Sequence, residues 1–367
     1  MNTRAAILWG TGEKWSVEDV ELAAPGPGQV RVKIHATGLC HSDDHAVTGD
    51  MPTPLPLVGG HEGAGVVEAV GDGVTRVAPG DHVVLIFQPP CGYCRNCARG
   101  RSNLCLNAAL QDYGSGPKAF TARGQEISAT GDLGTFADAT VVSERCVVKM
   151  GKDIPFNVAA LLGCAVTTGW GAAVYLAEVK PGDNVVVIGS GGVGVNSVQG
   201  AKNAGANLII AVDTVEMKRQ KALEFGATHA VGSTDEAQAI LADLAGGRGA
   251  DAVILSVGVG DGSKLGEIID LTGPAGTTVI TSVSPVASTT VNMNLAMFTL
   301  TQKTLRGNVY GGVQVHRDIP LLLDLYRQGH LKLDELITKT YTLDQINEGY
   351  ADMHAGKNLR GVIEFNA

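Results

Sequence analysis

The sequence predicts an α/β protein in two parts: a β-rich lobe built from both chain ends, and a doubly wound domain around a parallel sheet inserted between them. Three observations lead there. Before about Asn157 the chain reads as short strands separated by turn signals, with few helical periodicities. From Val185 onward, uninterrupted apolar runs alternate with helix-like stretches, the pattern of a parallel sheet covered on both faces. After about Val309 the pattern turns mixed again and closes on a strand. A chain of 367 residues fits two domains, or three, at about 150 residues each. The expected boundaries are 1–165, 166–309 and 310–367.

Each element has its own signal. Val30 to Ala36 (VRVKIHA) alternates apolar and polar, as a half-buried strand does. Val66 to Val70 and His82 to Phe87 are further strands, set off by GDG and PGD turns. In the second part, Val185-Val186-Val187-Ile188 is a buried strand, followed by a Gly-rich turn and a helix-like stretch to about Asn203. Leu208 to Val212 is the next strand, and a helix-like segment runs from about Val215 to Phe225. Ala252 to Val257, Thr277 to Thr281 and, at the end of the chain, Gly361 to Phe365 are the later strands.

Composition narrows the function. Hydrophobic residues at 44% suffice for a large core. Glycine, at 49 residues, is close to double its usual share of about 7%. With no G-x-y period, that excess marks tight turns and close backbone approaches. A net charge of −9 and the lack of a basic run argue against nucleic acid or an anionic membrane as partner. No stretch nears the ~18 apolar residues of a membrane span, and the first residues are too weakly apolar for a signal peptide. A soluble, cytoplasmic protein is expected.

Seven cysteines, an odd number, argue against a complete disulfide framework. Cys91, Cys94, Cys97 and Cys105 stand as C-x2-C-x2-C-x7-C, so the loop 91–105 can bring four thiolates onto one ion. Four thiolates close a tetrahedral shell, which makes the site structural. Zinc is preferred, and the spacing alone leaves iron open.

Three scattered residues form a second candidate set: Cys40 in GLCHSDDH, His61 in GGHEGAG and Cys164 in LLGCAVTTGWG. Two Cys and one His leave the fourth position of a tetrahedral zinc open, the arrangement of a catalytic site. Taken singly, each is an ordinary buried thiol or a satisfied core histidine. Glycines beside His61 and Cys164 tip the balance, because they let the backbone turn where a ligand points inward. Asp43 is the candidate to accept the free ring N–H of His61, and Glu62 to sit behind the ion and tune its charge. The plainer alternative makes both acids solvated turn residues.

The run from Val185 to Gly194 enters G-x-G-x-x-G directly after a strand, and Asp213 ends the following strand 19 residues later. Gly189 permits the turn, Gly191 and Gly192 bring the backbone near a pyrophosphate, and Gly194 lets the helix pack on the sheet. The helix N-terminus offers unpaired N–H groups to phosphate. Asp213 can accept from ribose hydroxyls and would repel a 2′-phosphate, favouring NAD over NADP, with Lys218 a further ribose contact.

In this order, Cys40-His41-Ser42-Asp43, Gly60-His61-Glu62, the four-cysteine loop, Cys164 and the Gly189–Gly194 turn resemble the zinc-dependent medium-chain alcohol dehydrogenases over essentially the whole chain. GLCHSDDHAVTGD, LVGGHEGAGVV, TTGWGAA and LDELITKTYTLDQINEGY are most similar to the branch dependent on N,N-dimethyl-4-nitrosoaniline, whose members hold NAD as a resident redox group. The resemblance implies a GroES-like β-barrel catalytic domain with an inserted Rossmann domain, two Zn2+ per subunit and a homodimer or homotetramer. It implies oxidation of primary alcohols to aldehydes by hydride transfer to NAD, with an external electron acceptor where the NAD stays bound. It further implies that Ser42 passes the alcohol proton toward the nicotinamide ribose and that His45 delivers it to solvent. His41 and Arg360 would contact the pyrophosphate, Val193 would back the nicotinamide, and Phe87 would wall the substrate pocket. Without that family position, His45 reads as a polar surface residue.

Two rival readings are weighed. A thiol-adduct formaldehyde dehydrogenase needs anchoring charges where this chain has Met51, expected to be buried in the pocket, and Ala109; neither can pair with glutathione. A non-catalytic, zinc-stapled nucleotide binder has no use for Cys40, His61 and Cys164 with an open ligand position.

Overall fold

A computed structural model describes residues 1–108 and 118–365, so Ala109 lies outside the described residues. The chain divides into two compact units, Met1–Cys164 with Gln314–Ala367, and Ala165–Val313.

Strand Gln29–Gly38 is the spine of the first unit. Its alternation buries Val30, Val32, Ile34 and Ala36, while Arg31, Lys33 and His35 stay partly exposed. It pairs antiparallel with Gly63–Val70, Ala139–Ser143 and Arg360–Glu364. Strands His82–Leu85, Val147–Met150 and Ile337–Tyr341 complete a 7-stranded sheet. The last strand therefore returns the end of the chain to the first lobe, as its apolar pattern implied. A separate closed barrel is formed by Asn2–Leu8, Ser16–Leu22, Phe120–Ala122, Gln125–Ala129 and Leu57–Val58. Closure removes exposed strand edges, and Ile7, Val20, Leu22, Phe120 and Ile127 fill its interior.

The second unit is a 6-stranded sheet in the order His229–Val231, Leu208–Val212, Asn184–Ile188, Ala250–Leu255, Thr272–Ile280, Thr304–Gly307. All its pairings are parallel. The first strand sits centrally and the order reverses beside it, which is the doubly wound arrangement that binds ligands at the carboxyl ends of its strands. Val185, Val186 and Val187 are fully buried, which explains why the run is continuous rather than alternating. Val186, Ile210, Val253, Leu255 and Leu241 share one core cluster. Burial of each such side chain contributes about 1.5–3 kcal/mol. Among the described residues, no helix is long and apolar enough to cross a membrane.

Among the elements that the sequence reading did not name, one bears directly on the site. Residues His41–Thr48 form a helix whose buried residues are Asp43, Asp44, His45 and Ala46. Three of these are polar, so the buried face has no apolar period to find. Gly49, at φ 79°, ends the helix in the left-handed region.

Candidate metal and dinucleotide sites

Cys40 is the N-cap of helix His41–Thr48, and its thiol lies 3.6 Å from Ser42 Oγ. His61 follows Gly60, whose φ of 91° is the turn that the flanking glycine foretold. Cys164 closes the first unit after helix Phe156–Leu161. Donor atoms of Cys40, His61, Glu62 and Cys164 all lie within 4.8 Å of one another, and all four residues are buried. Separation in sequence is thus no barrier to their convergence.

The surroundings are committed to this cluster. Asp43 Oδ1 accepts from the Gly60 amide at 2.9 Å, and Asp43 Oδ2 lies 2.9 Å from His61 Nδ1, off the line of a linear hydrogen bond. Both Asp43 and Glu62 are fully buried, so neither is a solvated turn acid. The guanidinium of Arg360, itself 5% exposed, donates to Glu62. A hydrogen bond from Cys164, helped by His61 and Arg360, holds the Cys40 thiol well below its usual range against the opposing effect of burial. Burial opposes charge on His61, but Asp43 and Cys40 outweigh it and raise the imidazole well above its ordinary value.

These residues fit a divalent ion. His61 Nε2 is buried with no hydrogen-bond partner, which costs free energy unless something else ligates it. Two sulfurs and an imidazole nitrogen are the donors zinc takes. Glu62, assigned from the sequence to tuning charge, also has a carboxylate oxygen within 4.8 Å of the other three donor atoms, and Arg360 pairs with it.

The second cluster is the four-cysteine loop, again with all sulfurs within 4.8 Å of one another. Helix Arg95–Ala98 and the turn Ser102–Leu104 shape it. Backbone amides of Cys91 and Asn107 donate to Cys105 Sγ, and that of Cys94 to Cys91 Sγ. Amides of Cys97 and Leu106 pull the Cys94 thiol down to about 6, which favours the thiolate a metal needs. Cys146 stands apart, buried among Val30, Val32 and Val147, and burial pushes its thiol up to about 12. It is an inert core residue.

In the second unit, Gly189 has φ 87°, and a Cβ there would meet the Val257 amide at 2.7 Å. A Cβ on Gly194 would come within 1.8 Å of the Gly189 carbonyl, so helix Gly192–Asn203 can start close to strand Asn184–Ile188 only with glycine there. Nothing lies within 4 Å of a Cβ at Gly191, the open side expected for a phosphate. Asp213 is half-buried and accepts from the Ser190 and Val215 amides at 2.8 and 2.9 Å, which ties it to the glycine turn. Lys218 lies on helix Glu216–Phe225 and Val193 on Gly192–Asn203, both partly exposed.

Of the remaining candidates, Ser42 is exposed and His41 half-buried. Phe87 meets the His61 ring edge to face, with centroids 5.6 Å apart. His45 is buried, not a surface residue, and its Nδ1 lies 3.1 Å from Asp50 Oδ2. Met51 is 40% exposed, which corrects the expectation that it is buried. The Gly49 turn carries the chain out of the helix just before it. Two partners had no sequence signal strong enough to read. Arg360 is paired with Glu62 across nearly the whole chain, and Asp50 is an acid after a glycine.

Comparison with known proteins agrees with this geometry. Residues 26–152 match the alcohol dehydrogenase GroES-like domain and residues 192–328 the zinc-binding dehydrogenase family. The NDMA-dependent alcohol dehydrogenase of Amycolatopsis methanolica is 47% identical over 100% of both chains. Alcohol dehydrogenase B of Mycobacterium tuberculosis is 46% identical, covering 100% of this chain and 99% of the relative. Among solved structures, benzyl alcohol dehydrogenase from Acinetobacter calcoaceticus superposes over 100% of both chains with TM-score 0.91 and 31% identity. A Burkholderia ambifaria alcohol dehydrogenase zinc-binding domain protein does so with TM-score 0.92 and 34% identity. Full-length similarity and the convergent Cys–His cluster point the same way, and the chain belongs to the zinc-binding alcohol dehydrogenases.

Proposed function

We propose that this alcohol dehydrogenase oxidises primary alcohols to aldehydes, reversibly, using an NAD that stays bound and is reoxidised by a separate acceptor. The observation that carries the alcohol chemistry is the gathering of Cys40, His61 and Cys164 around a His61 Nε2 that has no hydrogen-bond partner. Two zinc ions per chain are proposed, one there and one on Cys91, Cys94, Cys97 and Cys105. When bound, the catalytic ion lowers the pKa of a hydroxyl and the nicotinamide takes up hydride.

The chain's own residues supply the rest. Asp43 orients His61, and Arg360 balances the charge of Glu62 beside the two thiolates. Ser42 Oγ would accept the substrate's hydroxyl proton while giving up its own hydrogen toward the nicotinamide ribose, and His45 would take the relayed proton and deliver it to solvent. Phe87 excludes water beside His61 and gives the substrate an apolar wall. The turn Gly189–Gly194 and the following helix N-terminus hold the pyrophosphate, with His41 and Arg360 assigned to it as well and Val193 to the nicotinamide. Asp213 and Lys218 are assigned to the adenosine ribose, which supports NAD over NADP. The relative named as NDMA-dependent supports an external acceptor. A soluble homo-oligomer in the cytoplasm is the expected setting.

The test is heat release of the dinucleotide from purified protein, with alcohol oxidation assayed with and without an artificial acceptor. Near-stoichiometric NAD(H) in the supernatant and turnover only with the acceptor are expected. Turnover that requires added free NAD would replace the resident cofactor with an exchanging one. Absence of alcohol-dependent reduction under both conditions would overturn the reading.

A further inference from the structure

We propose that Asp50 is a positioning residue for the proton relay, whose carboxylate fixes the tautomer of His45 so that Nε2 is presented as the proton acceptor. This rests on the reading of His45 as a relay residue.

The side chain of His45 is 5% exposed, and its Nδ1 lies 3.1 Å from Asp50 Oδ2. The Thr48 hydroxyl donates to the same oxygen at 2.8 Å. An ionised carboxylate only accepts, so a neutral ring must carry its hydrogen on Nδ1, which leaves the Nε2 lone pair available. Free histidine favours the opposite tautomer, so the contact makes a selection that the residue would not make alone. Thr48 and His45 together hold the Asp50 carboxyl below its ordinary range, which keeps it ionised and accepting.

The local fold builds this contact. Gly49 ends the helix in the left-handed region, and the amides of Gly49 and Met51 both bond back to the His45 carbonyl, at 3.1 and 3.3 Å. That turn brings Asp50 back alongside the ring from which the chain has just departed. The neighbouring acids are committed elsewhere: Asp43 to His61 and the Gly60 amide, Asp44 to His354 Nε2 at 2.7 Å. Three acids in eight residues thus serve three different histidines, and Asp50 is the one that serves His45.

Proton bookkeeping closes. His45 takes a proton on Nε2, the Nδ1 hydrogen stays on the ring and keeps donating to Asp50, and the imidazolium loses the Nε2 proton to water, restoring the starting state. Asp50 stabilises the transient cation by its charge, as an acid beside a catalytic imidazole does.

The experiment uses the full-length enzyme labelled with 15N-histidine, with the His45 signals assigned by their loss in His45→Gln. Wild-type enzyme is expected to show hydrogen on Nδ1 and none on Nε2. Asp50→Ala is expected to move His45 toward the Nε2–H form and to lower kcat about tenfold, less than the 10²–10⁴-fold typical of losing an acid–base group itself, because Asp50 acts through His45. Asp50→Asn keeps an acceptor oxygen, and should restore the tautomer without restoring the full rate. In the His45→Gln background, Asp50→Ala should cost less than about twofold further, because the two residues act as one unit. Hydrogen on Nε2 in the wild type, or an equal rate loss from Asp50→Ala with and without His45, would overturn the proposal. The relay reading fails separately, if His45→Gln keeps full kcat; that result removes the catalytic consequence of Asp50, while the nitrogen spectra still decide the contact itself.

Discussion

Replacing Glu62 by Gln tests the charge balance of the metal site most sharply. Arg360 and Glu62 are a buried ion pair, 5% and 0% exposed in their side chains. A guanidinium cannot shed its proton at any pH the fold survives. Glu62→Gln therefore leaves a cation in the interior without its carboxylate. Breaking a buried pair in this way costs about 3–5 kcal/mol. Cys40 and Cys164 also act on Arg360, so the expected loss lies at the lower end, about 3 kcal/mol. For a unit of this size each kcal/mol moves Tm by about 2–4 °C, which gives a fall of about 6–12 °C. Calorimetry at a fixed excess of zinc is the assay, because bound ions themselves shift Tm. The double variant Glu62→Gln/Arg360→Met, with no charge to strand, should recover most of the loss. A fall below about 2 °C for Glu62→Gln, or a double variant no better than the single, would refute the reasoning.

Other expectations follow from the same geometry. Ser42→Ala should keep its metal content and lower kcat severely, by the 10²–10⁴-fold typical of a lost proton-transfer group; single-turnover kinetics would reveal unchanged chemistry if the assignment is wrong. Cys105→Ser should remove one zinc and destabilise the loop 91–105, read by metal analysis and limited proteolysis, while zinc at Cys40, His61 and Cys164 remains. Asp352 is held to about 2 by hydrogen bonds from Lys339 and Tyr341. Its stabilising effect is therefore full above about pH 4, the ordinary carboxyl range, and is lost as pH falls toward 2. Asp352→Asn should flatten that acid limb, and an unchanged acid-denaturation curve would contradict it.

Much of this was legible before any coordinates, for physical reasons. Strand Leu208–Val212 sits where the sequence reading placed it because a strand buried on both faces must be apolar throughout. Helix Gly192–Asn203 likewise begins at the glycine turn, where Gly189 and Gly194 leave no room for a Cβ. Cys91, Cys94, Cys97 and Cys105 were readable because their spacing alone allows one ion to be shared. Helix His41–Thr48 was not, since its buried side is made of Asp43, Asp44 and His45, which hydropathy counts as surface. Pairs such as Glu62 with Arg360, or His354 with Asp44, depend on a fold that joins the two chain ends, and no local pattern encodes them. Met51 misled because an apolar side chain is a weak indicator of burial at a turn.

Metal stoichiometry by plasma mass spectrometry, on the wild type and on Cys164→Ser, tests the central claim directly. Two zinc ions per chain in the wild type and one in the folded variant, with alcohol oxidation abolished, are the predicted results. One zinc in the wild type, or two in a fully active Cys164→Ser enzyme, would contradict a catalytic ion held by Cys40, His61 and Cys164.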